Sequence, residues 1–168
     1  MSSLKIHVVG DSSVLIAFAA VDRLEILARV FPCIWVPPEV QREVRAADLP
    51  PNGRLREALV QGIFLRPVEL SAEAEQLAGR YEAVVDRGEA EAIAVAKCMD
   101  RPVLIDDLPA RRWARAEGVD YLGSLRVLSL GKEAGVILSV RPVAEAMRQE
   151  GRFFSRTLLD KFFRMEGE

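Results

Sequence analysis

Short apolar runs alternate with amphipathic segments along almost the whole chain. Five runs rich in β-branched or aromatic residues predict β-strands: LKIHVV (4–9), CIWV (33–36), IFLRPVEL (63–70), PVLID (102–106) and VDYLG (119–123). The segments between them, such as SAEAEQLAGRYEAVV (71–85), carry helical periodicity and capping residues. Strands that alternate with helices imply right-handed crossovers and a mostly parallel sheet. The pattern therefore predicts the α/β class, as a three-layer α/β/α sandwich.

The length of 168 residues, half of them apolar, fits one domain that buries its core without disulfides or structural metal. We expect a single domain over 1–168, with 141–168 as a C-terminal helical extension. Cys33 and Cys98 lie in separate apolar runs and are interpreted as reduced core thiols. The chain shows no long apolar stretch or basic leader, so we predict a cytoplasmic protein without a membrane segment.

Carboxylates follow two of the predicted strands. Asp11 comes directly after the first strand, and Asp106 and Asp107 come at the end of PVLI. Because parallel strands present their carboxyl ends at one edge of the sheet, where ligands bind, these acids are expected at that edge. Any one of them is equally explained as a helix cap or turn residue. Their joint placement favours a functional site.

Two helix starts carry further pairs of acids, and helical phase separates the members of each pair. With Val40 and Val44 as the buried stripe, Glu43 lies roughly 80° from its centre and Glu39 roughly 120° away. Glu43 is therefore expected to point inward.

In the second helix, Glu89 shares a face with Ala92, Ile93 and Ala96. Glu91 lies roughly 200° around from Glu89 and is expected to be solvated. An acid on an apolar stripe must be protonated, paired or metal-bound, although an acid in a first helical turn also complements the helix dipole.

The chemistry of these side chains favours a hard divalent cation. Oxygen ligands suit Mg²⁺ or Mn²⁺, whereas zinc prefers histidine and cysteine. The one histidine, His7, lies inside the first strand, so Ser-His and Cys-His nucleophiles are effectively excluded. What these residues leave is metal-assisted chemistry on an anionic substrate such as a phosphodiester.

Five segments in this order resemble a PIN domain over nearly the whole chain: VVGDSSVLIAF, VPPEVQREV, RGEAEAIAVA, VLIDDLPARRWARAEGV and LGSLRVLSLGKEAGVI. The chain is closest to a prokaryotic branch of that family and more distantly similar to the toxin nucleases of VapBC toxin–antitoxin pairs. The resemblance implies a parallel sheet between helices and Mg²⁺- or Mn²⁺-dependent endonuclease activity, usually on RNA.

Matched residue by residue, the family's four acids fall on Asp11, Glu43, Glu89 and Asp107. Asp106 is an alternative metal ligand, because a doubled Asp-Asp is common in this branch. The supporting residues are Ser12 and Ser124. Ser124 matches a Ser or Thr that would orient a metal-bound water, and it is equally interpreted as an N-cap.

The net charge of −2 and pI near 5.6 mean that nucleic-acid binding would need a local basic patch. Arg111, Arg112 and Arg115 are the candidates, and two of them share a helix face at i, i+4 spacing. A solvated face with local ion pairs is the alternative.

Phenylalanines recur at helical spacing near the C-terminal end of the chain, at 153, 154, 162 and 163. Core packing is the default explanation. Adjacent pairs are hard to bury on one stripe, so a homodimer interface or a groove for a partner helix is also considered. The resemblance implies both a homodimer and an antitoxin partner.

The leading hypothesis is a metal-dependent endoribonuclease acting on single-stranded RNA, with a possible toxin role. The alternative is a non-catalytic PIN-like scaffold that binds RNA or a protein. A receiver domain or aspartyl-phosphate phosphotransferase is disfavoured, because the first strand ends in Asp-Ser-Ser and no strand-end lysine follows downstream.

Overall fold

The computed structural model describes residues 6–47, 54–152 and 154–168. Its strands are short: β1 (Val8–Gly10), β2 (Ile34–Val36), β3 (Leu65–Pro67), β4 (Val103–Leu104) and β5 (Tyr121–Leu122). The first helices are α1 (Ser12–Ala20), α2 (Leu24–Val30), α3 (Pro38–Ala46), α4 (Leu55–Gln61) and α5 (Ala72–Tyr81). The later helices are α6 (Arg87–Met99), α7 (Leu108–Ala116), α8 (Ser124–Glu133), α9 (Arg141–Gln149) and α10 (Arg156–Met165). Each predicted strand is present and shorter than its run, and β1 also includes Gly10, one residue beyond the predicted run. Residues 4 and 5 of the first run lie outside the described part.

The five strands form one sheet in the order β3-β2-β1-β4-β5, and all four described pairings are parallel. From β1 the chain crosses to β2 and β3 on one side of the sheet. It then returns to β4 and β5 on the other side. The strand order therefore reverses between β1 and β4, where the connections diverge and leave a crevice at the carboxyl ends. Asp11 follows one of these strands and Asp106 the other.

Helices cover both faces of the sheet. Val8 and Leu104 belong to an apolar cluster that includes residues of α1, α2, α8, α9 and α10. Their neighbours Val9 and Val103 point to the opposite face, into a second cluster with α5, α6 and α7. This alternation follows from the period of two in a strand. The predicted three-layer α/β/α architecture is confirmed.

The C-terminal helices belong to the first apolar cluster. Met147 of α9 and Leu159 and Phe163 of α10 are almost fully buried there. The side chain of Glu168 accepts hydrogen bonds from Lys132 Nζ at 2.7 Å and from the backbone N–H of Val140 at 2.9 Å. Segment 141–168 is thereby tied to α8 and to the start of α9. Phe153, one of the predicted aromatic positions, lies outside the described residues.

The expectation that Glu91 is solvated is wrong, because this side chain is only 2% exposed. It accepts a 2.7 Å hydrogen bond from the backbone N–H of Glu39, in the first turn of α3, and one from Arg87 Nε at 3.3 Å. The phase argument assumed one buried stripe, whereas α6 is buried all round from residue 90 to 96. Its packing against α5, α3 and the sheet leaves no solvated side there. Glu91 therefore satisfies a helix N-terminus.

The two cysteines are free but differ in environment. Cys33 is buried as expected, whereas Cys98 is exposed, so its interpretation as a core thiol is wrong. Cys98 lies in the last turn of α6, where the exposed positions begin again at residue 97. No helix in the described part of the chain is long and apolar enough to cross a membrane.

The contacts of Glu91 predict a stability effect. Replacing Glu91 with Ala should lower the free energy of unfolding by about 2–4 kcal/mol, because it leaves a buried cavity and an N–H of α3 without its partner. Chemical denaturation measures this change. The matched control Glu75→Ala removes an exposed acid of α5 and should change stability by about 0.5 kcal/mol or less. An equal effect of both variants would contradict the structural role of Glu91.

Candidate functional site

Asp11 lies at the junction of β1, β4 and α1. Its backbone N–H donates to the carbonyl of Leu104 at 3.0 Å, which extends the parallel pairing past the end of β1. Its side chain caps α1 by accepting from Ser13 N at 3.2 Å and from Ser13 Oγ at 2.5 Å. The residue is only 2% exposed. Burial raises the pKa of Asp11 to about 6, against the Ser13 hydrogen bonds and with a further contribution from the charge of Glu43.

Glu43 reaches the same region from α3. A Cβ atom built on Gly88 would lie 2.8 Å from both carboxylate oxygens of Glu43, so this carboxylate lies against the first turn of α6. The partial positive charge of a helix N-terminus favours an acid in that position. Glu39, the other acid of the pair, is instead hydrogen-bonded to Arg42. The structure therefore directs Glu43, rather than Glu39, toward Asp11.

Glu89 occupies the first turn of α6, where its carboxylate accepts from the backbone N–H of Asp86 at 3.2 Å. Burial, together with the charges of Asp11 and Asp107, raises the pKa of Glu89 to about 7, against the hydrogen bond from the backbone of Asp86. A carboxyl group with that pKa shares its proton with solvent near neutrality. The charges of both Asp11 and Asp107 thus act on Glu89.

Asp106 is fixed by three donors at the end of β4. Its two oxygens accept from Ser124 N at 2.8 Å, from Ser124 Oγ at 2.6 Å and from Arg111 Nη2 at 3.1 Å. The N-cap of α8 is Gly123, so Ser124 does not cap this helix with its own side chain. Instead, the carboxylate of Asp106 satisfies the start of α8. Asp106 therefore joins the strand, α7 and α8.

Asp107 is more open than its neighbour. It caps α7 by accepting from Ala110 N at 3.0 Å through Oδ2 and is otherwise exposed. Of the five candidate acids, Asp106 alone forms an ion pair with an arginine or lysine within the described ranges. The four acids Asp11, Glu43, Glu89 and Asp107 are linked pairwise through the electrostatic effects on Asp11 and Glu89.

The chemistry of this cluster fits a hard divalent cation. All its donors are carboxylate oxygens, and their mutual repulsion is relieved by a positive ion. As the side chains stand, no three histidine, cysteine or acidic residues in 6–47, 54–152 and 154–168 converge closely enough to hold an ion. The carboxylates must therefore draw together when an ion binds. Asp11, Glu43, Glu89 and Asp107 are the residues that could hold it.

The three predicted arginines do not share one face of α7. Arg111 and Arg115 lie over the ring of Tyr121, at 5.5 Å and 5.6 Å from its centroid. Arg111 also donates to the carbonyl of Ile105 at 2.9 Å and to Asp106. Arg112 is exposed and takes no part in these contacts. Arg111 is thus already occupied as an ion-pair partner.

Two features of this region were missed by the sequence reasoning. The hydroxyl of Ser13, rather than that of Ser12, supports Asp11; Ser12 acts on that carboxylate through its backbone N–H. A hydroxyl two residues after an N-cap acid was a usable signal for Ser13. The second feature is a groove of about 890 Å³ that begins at Ser13, Glu89 and the two acids after β4.

This groove, hereafter the C-terminal groove, runs from Leu108 past the turn between β5 and α8 to α10. It ends at Arg152, Leu158, Lys161 and Met165. The C-terminal phenylalanines are a partial signal for it, because Phe154 and Phe162 line this groove, whereas Phe163 is buried in the core. The contribution of Leu108 and its neighbours was not predicted, because they lie far from these residues in the chain.

A family model described as PIN domain matches residues 7–168. Among solved structures, a chain in the crystal structure of VapBC2 from Rickettsia felis, bound to a DNA fragment from the promoter, is similar with 11% identity and a TM-score of 0.48. That match covers 70% of this chain and 98% of the other. A search of curated proteins gave no match. The family match spans nearly the full length of the chain, which therefore belongs to the PIN-domain family.

Proposed function

We propose that this chain is a Mg²⁺- or Mn²⁺-dependent endonuclease that hydrolyses phosphodiester bonds in single-stranded RNA. The observation that carries the proposal is the electrostatically linked set of four carboxylates at the reversal point of the sheet. Two of them, Asp11 and Glu89, have raised pKa values because they are buried near other acids. Membership of the PIN-domain family, whose members are generally nucleases, supports the same conclusion.

Asp11, Glu43, Glu89 and Asp107 would hold the ion. A bound divalent cation supplies an activated water at neutral pH and neutralises charge on the leaving oxygen. Ser13 fixes the orientation of the Asp11 carboxylate through its hydroxyl and its backbone N–H. Asp106 holds Arg111 and the start of α8 in place, so that the floor of the site keeps its shape. Asp107, the exposed acid of the four, would lie on the side from which a phosphodiester approaches.

The non-catalytic scaffold is the second candidate, and one observation favours it. The described acidic side chains do not converge into a three-ligand group without movement. A scaffold would retain these acids with little affinity for a divalent ion, whereas a nuclease requires that affinity. The antitoxin partner, the homodimer and the toxin role stay predictions.

The first prediction concerns catalysis. Asp11→Asn should reduce Mn²⁺-dependent cleavage of a single-stranded RNA by about 100-fold or more, since the lost carboxylate is worth several kcal/mol in metal-assisted chemistry. Gel analysis of end-labelled RNA measures the rate, and EDTA should abolish it in the wild type. Asp120→Asn, at an exposed loop position, is the matched control and should cleave normally.

Circular dichroism should show the same fold for Asp11→Asn as for the wild type. Cleavage by this variant at the wild-type rate would overturn the proposed chemistry. Failure of the wild type to cut any single-stranded RNA would favour the scaffold.

The pKa values predict how the metal-free protein responds to pH. The folded pKa of Asp11 is raised from 3.8 to about 6, so the folded state binds more protons than the unfolded state in between. Stability from this group is complete below pH 3.8 and is lost as the pH rises through 6. Glu89 acts in the same direction up to about pH 7.

In EDTA, stability should therefore fall between pH 5 and 7.5, with about 1–2 kcal/mol attributable to Asp11. Denaturation curves at several pH values measure this fall. Asp11→Asn should show a smaller fall, and Mn²⁺ should reverse it in the wild type. A rise in stability over this range in EDTA would contradict the burial of these carboxyls.

The two neighbouring acids are predicted to differ in role. Asp107→Asn should weaken Mn²⁺ binding about tenfold or more and leave stability nearly unchanged, because asparagine also caps helices well. Asp106→Asn should destabilise the protein by about 1–3 kcal/mol, since Arg111 loses its charged partner. Calorimetric titration with Mn²⁺ and thermal unfolding measure the two effects. If Asp106→Asn lost the metal affinity and Asp107→Asn the stability, Asp106 would be the ligand.

A further inference from the structure

The C-terminal groove concentrates exposed apolar side chains beside the acid cluster. Leu108 is 61% exposed, Leu158 46% and Met165 75%, and all three line this groove. They are three of the seven large apolar side chains that are exposed among the described residues. Apolar surface collected in one concave place, rather than scattered, is typical of a binding surface.

Basic side chains also line the same groove. Arg152 and Lys161 line it, and neither has an acidic partner within salt-bridge distance among residues 6–47, 54–152 and 154–168. Arg126 also lines it but is paired with Glu133 at 2.9 Å. The lining of the groove therefore combines acids at the start of α6 and before α7 with apolar side chains and with the unpaired basic side chains Arg152 and Lys161.

This combination of side chains favours one kind of occupant. A ligand that fills the groove must have apolar faces for Leu108, Leu158 and Met165 and negative charge for Arg152 and Lys161. It must also pass Glu89 and Asp107, where a cation would be needed between the acids and a negative group. An unpaired nucleic-acid strand meets all three conditions, because its bases have exposed faces and its phosphates recur along the backbone. A duplex keeps its base faces stacked inside.

We propose that the C-terminal groove binds the unpaired nucleotides next to the scissile phosphate of the RNA. Leu158 and Met165 contact base faces, and Arg152 and Lys161 bind a backbone phosphate beyond them. This inference rests on the proposed function and adds a subsite to it. It also assigns a role to α10, whose exposed side the core does not use.

Binding can be measured apart from cleavage. Fluorescence anisotropy of a labelled single-stranded RNA reports binding to the whole protein, with Ca²⁺ in place of Mn²⁺ so that an ion can lie between the acids and the RNA while cleavage is suppressed. Arg152→Ala and Lys161→Ala should each weaken binding about three- to tenfold and lower the slope of log affinity against log salt by about 0.7. The matched control Arg29→Ala, at an exposed position of α2, should leave both quantities unchanged.

The base contact has its own test. The double variant Leu158→Ser/Met165→Ser should weaken binding about fivefold, as expected for about 40 Å² of lost apolar contact. An RNA that lacks the base at the contacted position should bind the wild type correspondingly worse. The double variant should bind this RNA with the same affinity as it binds the intact RNA. Leu138→Ser, at a side chain 94% exposed and outside the groove, is the matched control.

Three outcomes would overturn the proposal. The groove variants and the wild type could bind RNA equally well. Removal of the base could lower the RNA affinity of the wild type and of the double variant by the same factor. That result would mean that the base contacts residues other than Leu158 and Met165. Sedimentation could show that the wild type is a dimer and the double variant a monomer, so that a second copy of the chain fills the groove.

None of these outcomes bears on the proposed nuclease function, which is tested by Mn²⁺-dependent cleavage in the wild type. Conversely, loss of binding in the groove variants together with an inactive wild type would support the groove and contradict the nuclease. Thermal unfolding should show that all groove variants are folded, since Leu158, Lys161 and Met165 are exposed and Arg152 lies half-buried between α9 and α10.

Discussion

The burial of one acidic side chain at the reversal point of the sheet sets the conditions for the rest of the site. Asp11 ties β1 to β4 through its backbone and starts α1 through its side chain. It therefore cannot move toward solvent without disturbing both elements. Because the carboxylate is held there, the charges of Glu43 and Glu89 act on it in a poorly solvated place. Protons or a cation must therefore compensate for the negative charge that the fold collects there.

Much of the architecture follows from local pattern. Alternating strand and helix segments were enough to predict a parallel sheet between helical layers, because parallel strands require crossovers. The order of the strands was not predictable in the same way, since it depends on which edge each crossover returns to. The strands are also shorter than the apolar runs that predicted them. Parts of those runs, such as Phe64 and Ile105, pack against the core beside the sheet ladder.

The success of helical phase depended on how each helix is packed. On α3, a single buried stripe at Val40 and Val44 made the inward position of Glu43 predictable. On α6, packing on every side made the same argument fail for Glu91. Asp106 and Asp107 lie outside any helix, so helical phase could not separate them. Their surroundings differ because Ser124 and Arg111 donate hydrogen bonds to Asp106. Arg152, Lys161 and Met165 reach the site only through the packing of the last two helices, which no local pattern encodes.

The space beside Gly88 helps to determine where the second acid of the cluster lies. A single methyl group at that position would occupy the volume where the Glu43 carboxylate lies, with 2.8 Å to both oxygens. With alanine there, the Glu43 carboxylate would have to shift from its present position, although only the far end of a flexible side chain would need to move. The position of the second acid therefore depends on the residue before the third acid as well as on the acids themselves. Gly88, the residue before Glu89, is thus part of the structural basis of the acid cluster.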